Sequence, residues 1–289
     1  MIIERKAYAK INLGLDVTGR KDDGYHLVRM IMQNVDIFDT LTFEDTDDGT
    51  VTLTASSDKI PTDESNLICK VALQLKEKYN VQKGAKIHLI KRIPVAAGMA
   101  GGSTDGAAAY LALNELWNLN LDKETLCRLA VKLGADIPYC IIGGTALAEG
   151  IGEELTQISD MPKCTILVAK PDIDVSTGWV YKTLDSKEIE VHPDIDAIRE
   201  AIEKSDLKKM CSLIGNVLEP VTASKYHVIG ELEQIMNNNG AVGAFMTGSG
   251  PTVFGIFDDD KCAEAAFAAV KDSKLAPQVF LSGPIHPTN

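Results

Sequence analysis

The sequence predicts an α+β protein, built as two modest domains or one large one. Its 289 residues allow a sizeable core in either case. The first half mixes segments that alternate like strands with segments of helical periodicity. After a glycine-rich passage the order becomes a strand, helices, two strands, a helix and a last strand, which is typical of an α+β sandwich on one sheet. We place the boundary near residue 158, which gives an N-terminal domain, 1–158, and a C-terminal domain, 159–289.

Strands in the first half are predicted where β-branched and aromatic residues cluster between Asp-Gly pairs. They are expected at 7–17, 27–34, 39–44, 51–55 and 86–91. Apolar residues at helical spacing predict helices that begin after Ser65, near Ser103 and after Asp122. Ser65 and Asp122 are the expected N-caps, and Gly134 is expected to close the third helix as a left-handed cap.

The second half shows a different order of elements. A short apolar strand at 165–169 stops before Pro171, and helices are predicted at 194–204, 207–217 and 225–238. Two strands flank the turn at 248–251, and a helix at 261–271 precedes a last strand at 278–282.

Charge and cysteine content narrow the functional classes. The formal net charge of −12 argues against nucleic acid or an anionic membrane as the main partner, because binding those polyanions requires clustered Lys and Arg. The six cysteines form no CxxC pair and the five histidines are scattered, so neither a metal-ligand spacing nor a disulfide framework appears. The N-terminus carries charges from its fourth residue and lacks the apolar stretch of a signal peptide. We therefore expect a cytoplasmic protein.

The stretch PVAAGMAGGSTDGAAAYLAL at 94–113 places a glycine loop between a predicted strand and a predicted helix. Bare backbone lets a ligand approach the peptide closely, and the free amides at the start of a helix attract anions. The order therefore favours phosphate binding over the alternative, a plain tight turn before a buried helix. The loop is not a Walker A motif, because no Lys follows the glycines, and it lacks the partner motifs of protein kinases.

Two further stretches, AYAKINLGLDV near the N-terminus and MTGSGPTVFGIF at 246–257, accompany this loop. The three together, in this order, resemble the motifs of the superfamily that contains galactokinase, homoserine kinase, mevalonate kinase and phosphomevalonate kinase. The segments KINLGLDVTGRKDDGYHLV and LGADIPYCIIGGTALAEGIGE narrow the resemblance to the family whose acceptor is 4-diphosphocytidyl-2-C-methyl-D-erythritol. The resemblance spans nearly the whole chain. Met99 and Ala100 depart from it, since many members have Leu-Gly there, and Thr104 stands where a second Ser is common.

The resemblance implies an N-terminal domain of the ribosomal-protein-S5-like type and a C-terminal ferredoxin-like α/β sandwich, with the active site in the cleft between them. It implies an ATP-dependent kinase that phosphorylates the 2-hydroxyl of the cytidine diphosphate conjugate in non-mevalonate isoprenoid precursor synthesis. The implied partners are this small-molecule substrate and ATP, with neither nucleic acid nor membrane, in a monomer or homodimer. The implied ATP-binding residues are Pro94, Val95, Ala96, Ala97, Gly98, Met99, Ala100, Gly101, Gly102, Ser103 and Thr104.

Two residues are expected to carry the chemistry, since phosphoryl transfer needs charge compensation and an acceptor for the hydroxyl proton. Asp136, in the matching GADIP motif, is the candidate base, and its alternative is an Asp that caps the next turn. Lys10 lies in an otherwise apolar strand, where a buried ammonium is costly unless it is paired. A pairing of Lys10 with Asp136 satisfies both groups. The alternative for Lys10 is the solvent face of an edge strand.

Substrate-binding residues follow from the same resemblance. Asn12 shares a strand face with Lys10 and either binds substrate or holds the lysine. Tyr25 is expected to stack on cytosine and His26 to hydrogen-bond the base, although an isolated Tyr-His pair is more often a half-buried surface pair. Tyr181 stands at the place of the second stacking aromatic, and Trp179 is the alternative.

The third motif, with Gly248, Ser249 and Gly250, is expected to be a turn that supports the site, or else a hairpin without ligand contact. Magnesium is expected for ATP chemistry, and the hydroxyls of Ser103 and Thr104 are candidates to reach phosphate or Mg²⁺. We see no carboxylate cage, so no metal ligand is assigned. Glu149 and Asp16 are interpreted as structural.

Two rival functions remain open from the sequence. The first is another kinase of the superfamily, such as a homoserine or mevalonate kinase, against which the Tyr25-His26 pair argues. The second is a non-catalytic binding protein on the same fold, which the retention of Lys10 and Asp136 disfavours.

Overall fold

The computed structural model describes residues 1–186 and 188–286, and these form ten strands and ten helices. The strands are β1 (Ile2–Arg20), β2 (His26–Thr46), β3 (Val51–Ala55), β4 (Gly84–Ile90), β5 (Thr145–Glu149), β6 (Glu154–Gln157), β7 (Thr165–Lys170), β8 (Gly243–Met246), β9 (Val253–Phe257) and β10 (Gln278–Ser282). The helices are α1 (Leu67–Tyr79), α2 (Gly101–Leu116), α3 (Lys123–Ala130), α4 (Ile137–Ile142), α5 (Thr177–Leu184), α6 (Ile195–Glu203), α7 (Leu207–Leu213), α8 (Glu219–Lys225), α9 (Val228–Asn238) and α10 (Asp260–Ser273).

The chain packs as two compact units, each made of several segments. Unit 1 comprises Met1–Ala9, Ile37–Val95 and Ala100–Ile142. Unit 2 comprises Lys10–Asp36, Ala96–Met99 and the described residues from Gly143 onward. The long strands β1 and β2 and the glycine loop therefore each contribute residues to both units. The boundary predicted at residue 158 stays a prediction, because packing units of this kind do not test a division of the sequence into family domains.

Unit 1 is a sheet covered by helices. The later part of β2 pairs antiparallel with β4, with Leu41 opposite Leu89, and β4 pairs parallel with β3. Its core is a single apolar cluster that joins the sheet to α1, α2, α3 and α4. Four alanines of α2 are buried, and small side chains at these positions let neighbouring helices approach closely. This packing fixes the start of α2, which follows the glycine loop.

Unit 2 contains a four-stranded antiparallel sheet in the order β10-β7-β9-β8, with α9 and α10 packed on it. In the same unit the first part of β2 pairs with β5, with Ile31 opposite Leu147, and β5 pairs with β6. The β8–β9 turn carries the third motif, so this sheet positions Gly248, Ser249 and Gly250.

Several predicted elements are confirmed. The α+β class holds, Asp122 caps α3 by accepting a hydrogen bond from the Thr125 amide, and β3 and β10 have the predicted bounds. The predicted strand before Pro171 is β7, and the strands on either side of the 248–251 turn are β8 and β9.

Other predictions were wrong at particular residues. Asn66, not Ser65, caps α1, because its side-chain oxygen accepts from the Ile68 amide. Gly134 is not a left-handed cap, since α3 ends at Ala130 and the cap residue Val131 has φ −56°. The strands predicted at 27–34 and 39–44 are one strand, and the predicted helix at 207–217 ends at Leu213. The helix predicted from residue 225 begins at Val228, after a separate helix, α8.

Candidate active site

The first motif buries a lysine beside an asparagine in unit 2. Lys10 is 5 % exposed and Asn12 2 % exposed, which excludes the solvent-facing alternative for Lys10. The Lys10 ammonium donates to Asn12 Oδ1 at 2.7 Å. Asn12 Nδ2 lies 3.3 Å from Met30 Sδ, so the amide orientation is fixed from both ends. Within this unit Asn12 therefore holds the lysine, in agreement with one of its two predicted roles.

The three sequence motifs meet in unit 2. The Lys10 amide donates to the Met99 carbonyl at 3.2 Å, which joins the first motif to the glycine loop. The Asn12 amide donates to Thr247 Oγ1 at 3.1 Å, which joins the first motif to the third. A Cβ at Gly98, whose φ is +70°, would lie 2.5 Å from the Thr247 carbonyl oxygen, so the loop and the third motif touch through bare backbone. The 248–250 turn thus supports the loop directly.

In unit 1 the loop leads into α2 at an earlier residue than predicted. The helix begins at Gly101, so Gly101 and Gly102 belong to its first turn, which was expected to begin at Ser103. Ala100 precedes it with φ +57°, a left-handed conformation that favours glycine. The Thr104 amide donates to the Ala100 carbonyl, and the amides of the three preceding residues are the ones that a helix leaves without an internal acceptor. The start of α2 therefore supplies the donors that an anion requires.

The hydroxyl groups near this turn differ in their availability. Thr104 is buried, and its Oγ1 donates to the Tyr8 carbonyl at 2.7 Å, which joins α2 to β1 within unit 1. Ser103 is half-buried on the first turn of α2. Thr104 therefore has a structural partner, and the predicted contacts of both hydroxyls with phosphate or Mg²⁺ stay predictions.

A buried ion cluster that the sequence did not indicate lies at the same end of α2. The Lys91 ammonium is 2.5 Å from Asp39 Oδ2 and 2.7 Å from Asp105 Oδ2. Asp39 Oδ1 also accepts the amide of Ile93 at 2.9 Å, just before the loop. Burial raises the pKa of Asp105 well above its usual range, and Asp105 Oδ1 has no hydrogen-bond partner among the described residues. The cluster ties β2 and β4 to α2.

Asp136 immediately precedes the short helix α4, which was not predicted. Its carbonyl accepts the Cys140 amide, and its half-buried side chain lies at the helix N-terminus, where a carboxylate is stabilised. The catalytic role of Asp136 and its capping alternative both stay predictions. The next residue, Ile137, would contact a Cβ at Gly106 at 3.7 Å, so Asp136 is held beside the second turn of α2.

Two of the residues predicted to bind cytidine, His26 and Tyr181, are in contact in unit 2. The His26 and Tyr181 rings pack with centroids 4.6 Å apart and planes tilted by 30°. His26 Nε2 is 2.6 Å from Asp185 Oδ1, and Arg20 Nη1 is 3.1 Å from Asp185 Oδ2. Tyr25 is 60 % exposed, so its ring is open to a ligand. Asp185 is a residue that sequence reasoning missed.

Trp179, the alternative stacking aromatic, is engaged elsewhere. Its ring packs edge-on against Tyr226 with centroids 6.4 Å apart, and the Lys225 ammonium lies 4.4 Å from its centroid. The structure therefore favours Tyr181 over Trp179 as the partner of His26.

The remaining motif residues have structural partners. Ser249 is buried, and its hydroxyl lies 2.9 Å from Thr177 Oγ1, at the start of α5. Glu149 accepts from Arg29 Nε at 3.0 Å, and Asp16 lies 2.7 Å from His192 Nδ1. These contacts agree with the structural interpretation of Glu149 and Asp16.

In the part of the chain that the structure describes, no helix is both long and apolar enough to cross a bilayer. Over the same residues no group of three or more His, Cys, Asp or Glu side chains is arranged to hold a metal ion.

Family models match two stretches of the chain, which contain the glycine loop and the third motif. The model of the GHMP kinases N terminal domain matches residues 66–144, and the GHMP kinases C terminal model matches residues 198–275. The chain belongs to the GHMP kinase family, as the three motifs predicted, and the two-domain α+β architecture is confirmed. As a member it is a kinase with ATP as co-substrate.

Within this family the chain is similar to proteins named 4-diphosphocytidyl-2-C-methyl-D-erythritol kinase. The relative from Lachnoclostridium phytofermentans is 48 % identical over 97 % of both chains. The relative from Clostridium perfringens is 43 % identical over 99 % of this chain and 100 % of its own length. A crystal structure of 4-(cytidine 5'-diphospho)-2C-methyl-D-erythritol kinase matches with a TM-score of 0.83 and 30 % identity, over 99 % of this chain and 100 % of that one. A homoserine kinase from Cytophaga hutchinsonii, 20 % identical over 97 % of this chain and 94 % of its own, shares the fold with a TM-score of 0.80.

Proposed function

We propose that this kinase transfers a phosphoryl group from ATP to the 2-hydroxyl of 4-diphosphocytidyl-2-C-methyl-D-erythritol, in non-mevalonate isoprenoid precursor synthesis. The observation that carries the proposal is the packed ring pair of His26 and Tyr181, next to the exposed ring of Tyr25, because aromatic rings suit a planar base. The names of relatives that align over almost the whole chain support the same acceptor.

ATP is proposed to bind at the glycine loop, residues 94–104. The free amides at the start of α2 and its helix dipole stabilise phosphate oxygens without a lysine in the loop. Magnesium enters with ATP, because Mg²⁺ prefers nucleotide phosphates, water and one or two protein oxygens to a full protein cage. The half-buried hydroxyl of Ser103 on this turn is the proposed protein oxygen.

Asp136 is proposed to accept the proton of the substrate hydroxyl, and Lys10 to keep that carboxylate ionised and to help lower the pKa of the hydroxyl. A kinase of this type needs positioning and electrostatic stabilisation more than covalent chemistry. The hydrogen bond from Lys10 to Asn12 fixes the direction of the ammonium before substrate binds. The pairing of Lys10 with Asp136 stays a prediction.

The cellular setting is proposed to be the cytoplasm. All six cysteines lie in the described part of the chain and are free thiols. Five of them have at least one apolar neighbour in the sequence. Free thiols are typical of proteins in a reducing compartment. Whether the kinase is a monomer or a homodimer stays as predicted from the sequence.

The test is an ATP-consumption assay of the purified protein against a panel of acceptors. We expect phosphorylation of 4-diphosphocytidyl-2-C-methyl-D-erythritol and none of homoserine, mevalonate or galactose. Transfer to another member of the panel would reassign the substrate within the GHMP kinases. Absence of transfer to any acceptor, with ATP still bound, would support the non-catalytic alternative.

A further inference from the structure

Asp185 lies at the end of α5, one helical turn after Tyr181, and its own amide donates to the Tyr181 carbonyl at 3.0 Å. The same short stretch of chain therefore holds two sides of the His26 ring. Tyr181 covers a face, and Asp185 binds the Nε2 edge at 2.6 Å. The His26 side chain is only 13 % exposed, so these two contacts define its orientation.

The hydrogen bond between His26 and Asp185 has a defined direction. The pKa of Asp185 is lowered, chiefly by this hydrogen bond, so the carboxylate is ionised near neutral pH and can only accept. Nε2 must therefore carry the proton. Arg20, 3.1 Å from the other carboxylate oxygen, already compensates the charge of Asp185. When the ring is neutral and Nε2 carries its one proton, Nδ1 is an acceptor.

We infer that Asp185 is a positioning residue that holds His26 as the Nε2–H tautomer, so that Nδ1 presents a hydrogen-bond acceptor and selects cytosine over uracil. This inference rests on the proposed function, which places the pyrimidine at His26. Cytosine carries an amino group at C4, which donates, whereas uracil carries a carbonyl there, which accepts. A fixed acceptor therefore binds the first base and opposes the second, because two acceptors face each other.

The alternative tautomer would reverse this preference. If Nδ1 carried the proton in a neutral ring, it would donate to the uracil carbonyl and oppose the cytosine amino group. Without Asp185 both tautomers are accessible, and the discrimination between the bases falls. Selectivity thus depends on a carboxylate that need not contact the base.

Calorimetric titration with CDP and with UDP tests the inference without a full substrate. At pH 8, where an unperturbed imidazole is neutral, we expect the parent protein to bind CDP roughly tenfold or more tighter than UDP. Asp185→Ala is expected to lose most of this preference through weaker CDP binding. Asp185→Asn is the conservative variant, since its amide oxygen still accepts from Nε2, and it is expected to retain most of the preference.

Asp196→Ala is the matched control. Asp196 is an ion-paired surface carboxylate of the same unit, with both oxygens 2.7 Å from the Arg29 guanidinium, and it has no contact with His26 in the described residues. Its removal changes the net charge by the same amount and is expected to leave the CDP-to-UDP ratio unchanged.

The ¹⁵N resonances of the His26 ring in the parent protein give a readout that needs no variant. We expect the neutral Nε2–H form, and a mixture of tautomers in Asp185→Ala. An Nδ1–H ring in the parent, or an equal CDP-to-UDP ratio in the parent and in Asp185→Ala, would overturn the inference while leaving the proposed acceptor intact. A parent protein that bound neither nucleotide diphosphate would instead overturn the proposed cytidine site, and this inference with it.

Discussion

Gly98 and Gly248 lie backbone against backbone in unit 2. A Cβ on Gly248 would lie 2.9 Å from the Gly98 carbonyl oxygen. Both φ angles are positive, +58° at Gly248 and +70° at Gly98. No side chain fits at either position without movement of the main chain. The glycine loop and the third motif are therefore a single packed feature of this unit.

This contact predicts that Gly98→Ala and Gly248→Ala each lower the stability of the protein and its affinity for ATP. The added methyl group meets main-chain atoms, and a left-handed conformation costs a non-glycine residue about 1–2 kcal/mol. Urea unfolding and ATP titration measure the two effects. The control is Gly230→Ala in α9, where a Cβ meets no atom within 4 Å, and which we expect to be neutral or stabilising. Wild-type behaviour of both loop variants would show that the close packing does not matter.

The first turn of α2 predicts different results at two adjacent glycines. A Cβ at Gly102 has its nearest neighbour, Leu67 Cδ1, at 3.8 Å, whereas one at Gly101 lies 3.0 Å from the Lys91 ammonium. We expect Gly102→Val to weaken ATP binding and to leave stability unchanged, because the added side chain obstructs only the side of the turn where ATP is proposed to bind. Gly101→Val is expected to lose stability as well. Calorimetric ATP titration combined with thermal unfolding separates the two, and an unchanged ATP affinity in Gly102→Val would make the loop a plain turn.

Asp136→Asn is expected to lower kcat by about 10²–10⁴-fold, the usual contribution of a general base. ATP affinity is expected to stay within a few-fold of the parent, because the side chain is assigned to the acceptor. Lys10→Met keeps the apolar stem of the buried side chain and removes its charge, so we expect a similar loss. Steady-state kinetics of both single variants and of the double variant give the coupling between them. If the two residues act as a unit, the kcat of the double variant equals that of the less active single variant. If the two losses in kcat multiply instead, the residues have separate roles.

Loss of stacking predicts a selective effect on the cytidine substrate. Tyr25→Leu and Tyr181→Leu are each expected to remove about 1–3 kcal/mol of base–aromatic interaction. That is roughly a 5- to 150-fold loss of affinity for the conjugate, with ATP affinity unchanged. Trp179→Leu is the control, because Trp179 packs on Tyr226 and Lys225 instead. A loss confined to Trp179→Leu would identify it as the stacking residue.

A pair of acidic side chains predicts a pH-dependent stability. Burial, reinforced by the charge of Glu219, raises the pKa of Glu233 to about 8 from a usual 4.5. The folded protein therefore keeps a proton that the unfolded chain has lost, and the stability that this proton contributes falls as pH rises from about 4.5 to about 8. Urea unfolding at pH 5 and pH 8 should show that Glu233→Gln removes part of this decline. Glu231 lies on the exposed side of α9, so Glu231→Gln is the control and should keep the pH dependence of stability of the parent protein. If Glu233→Gln also kept that pH dependence, another group would be responsible for the decline.

Sequence patterns predicted the elements whose signals are local. The alternation in 278–282 and the Asp122 cap each depend on a few adjacent residues, and both are found as predicted. The motifs were likewise visible as runs of glycine and isolated polar residues. Three of the short helices were missed, since α4 has 6 residues, α8 has 7 and α5 has 8, too few to show a clear helical period.

Features that depend on distant residues were beyond the sequence. Asp39 and Lys91 are far apart in the chain and become an ion pair only when β2 pairs with β4. Asp185 is one of many acidic residues in an acidic chain, and nothing in its neighbours indicates His26 as its partner. The start of α2 was misplaced because glycine has low helix propensity, and tertiary packing overrides that propensity at Gly101 and Gly102.

The segments of the two units alternate along the chain, and this affects how the protein responds to cleavage and how unit 2 is completed. Residues Leu15, Asn12 and Asp36 lie early in the sequence, yet their amides donate to Gly215, Thr247 and Gly283 respectively. If one peptide bond between Asp36 and Gly215 is cut, these hydrogen bonds still join the early strands of unit 2 to its late ones. Unit 2 is therefore complete only when its last strand, β10, has paired with β7, so a fragment that stops before β10 cannot complete this sheet.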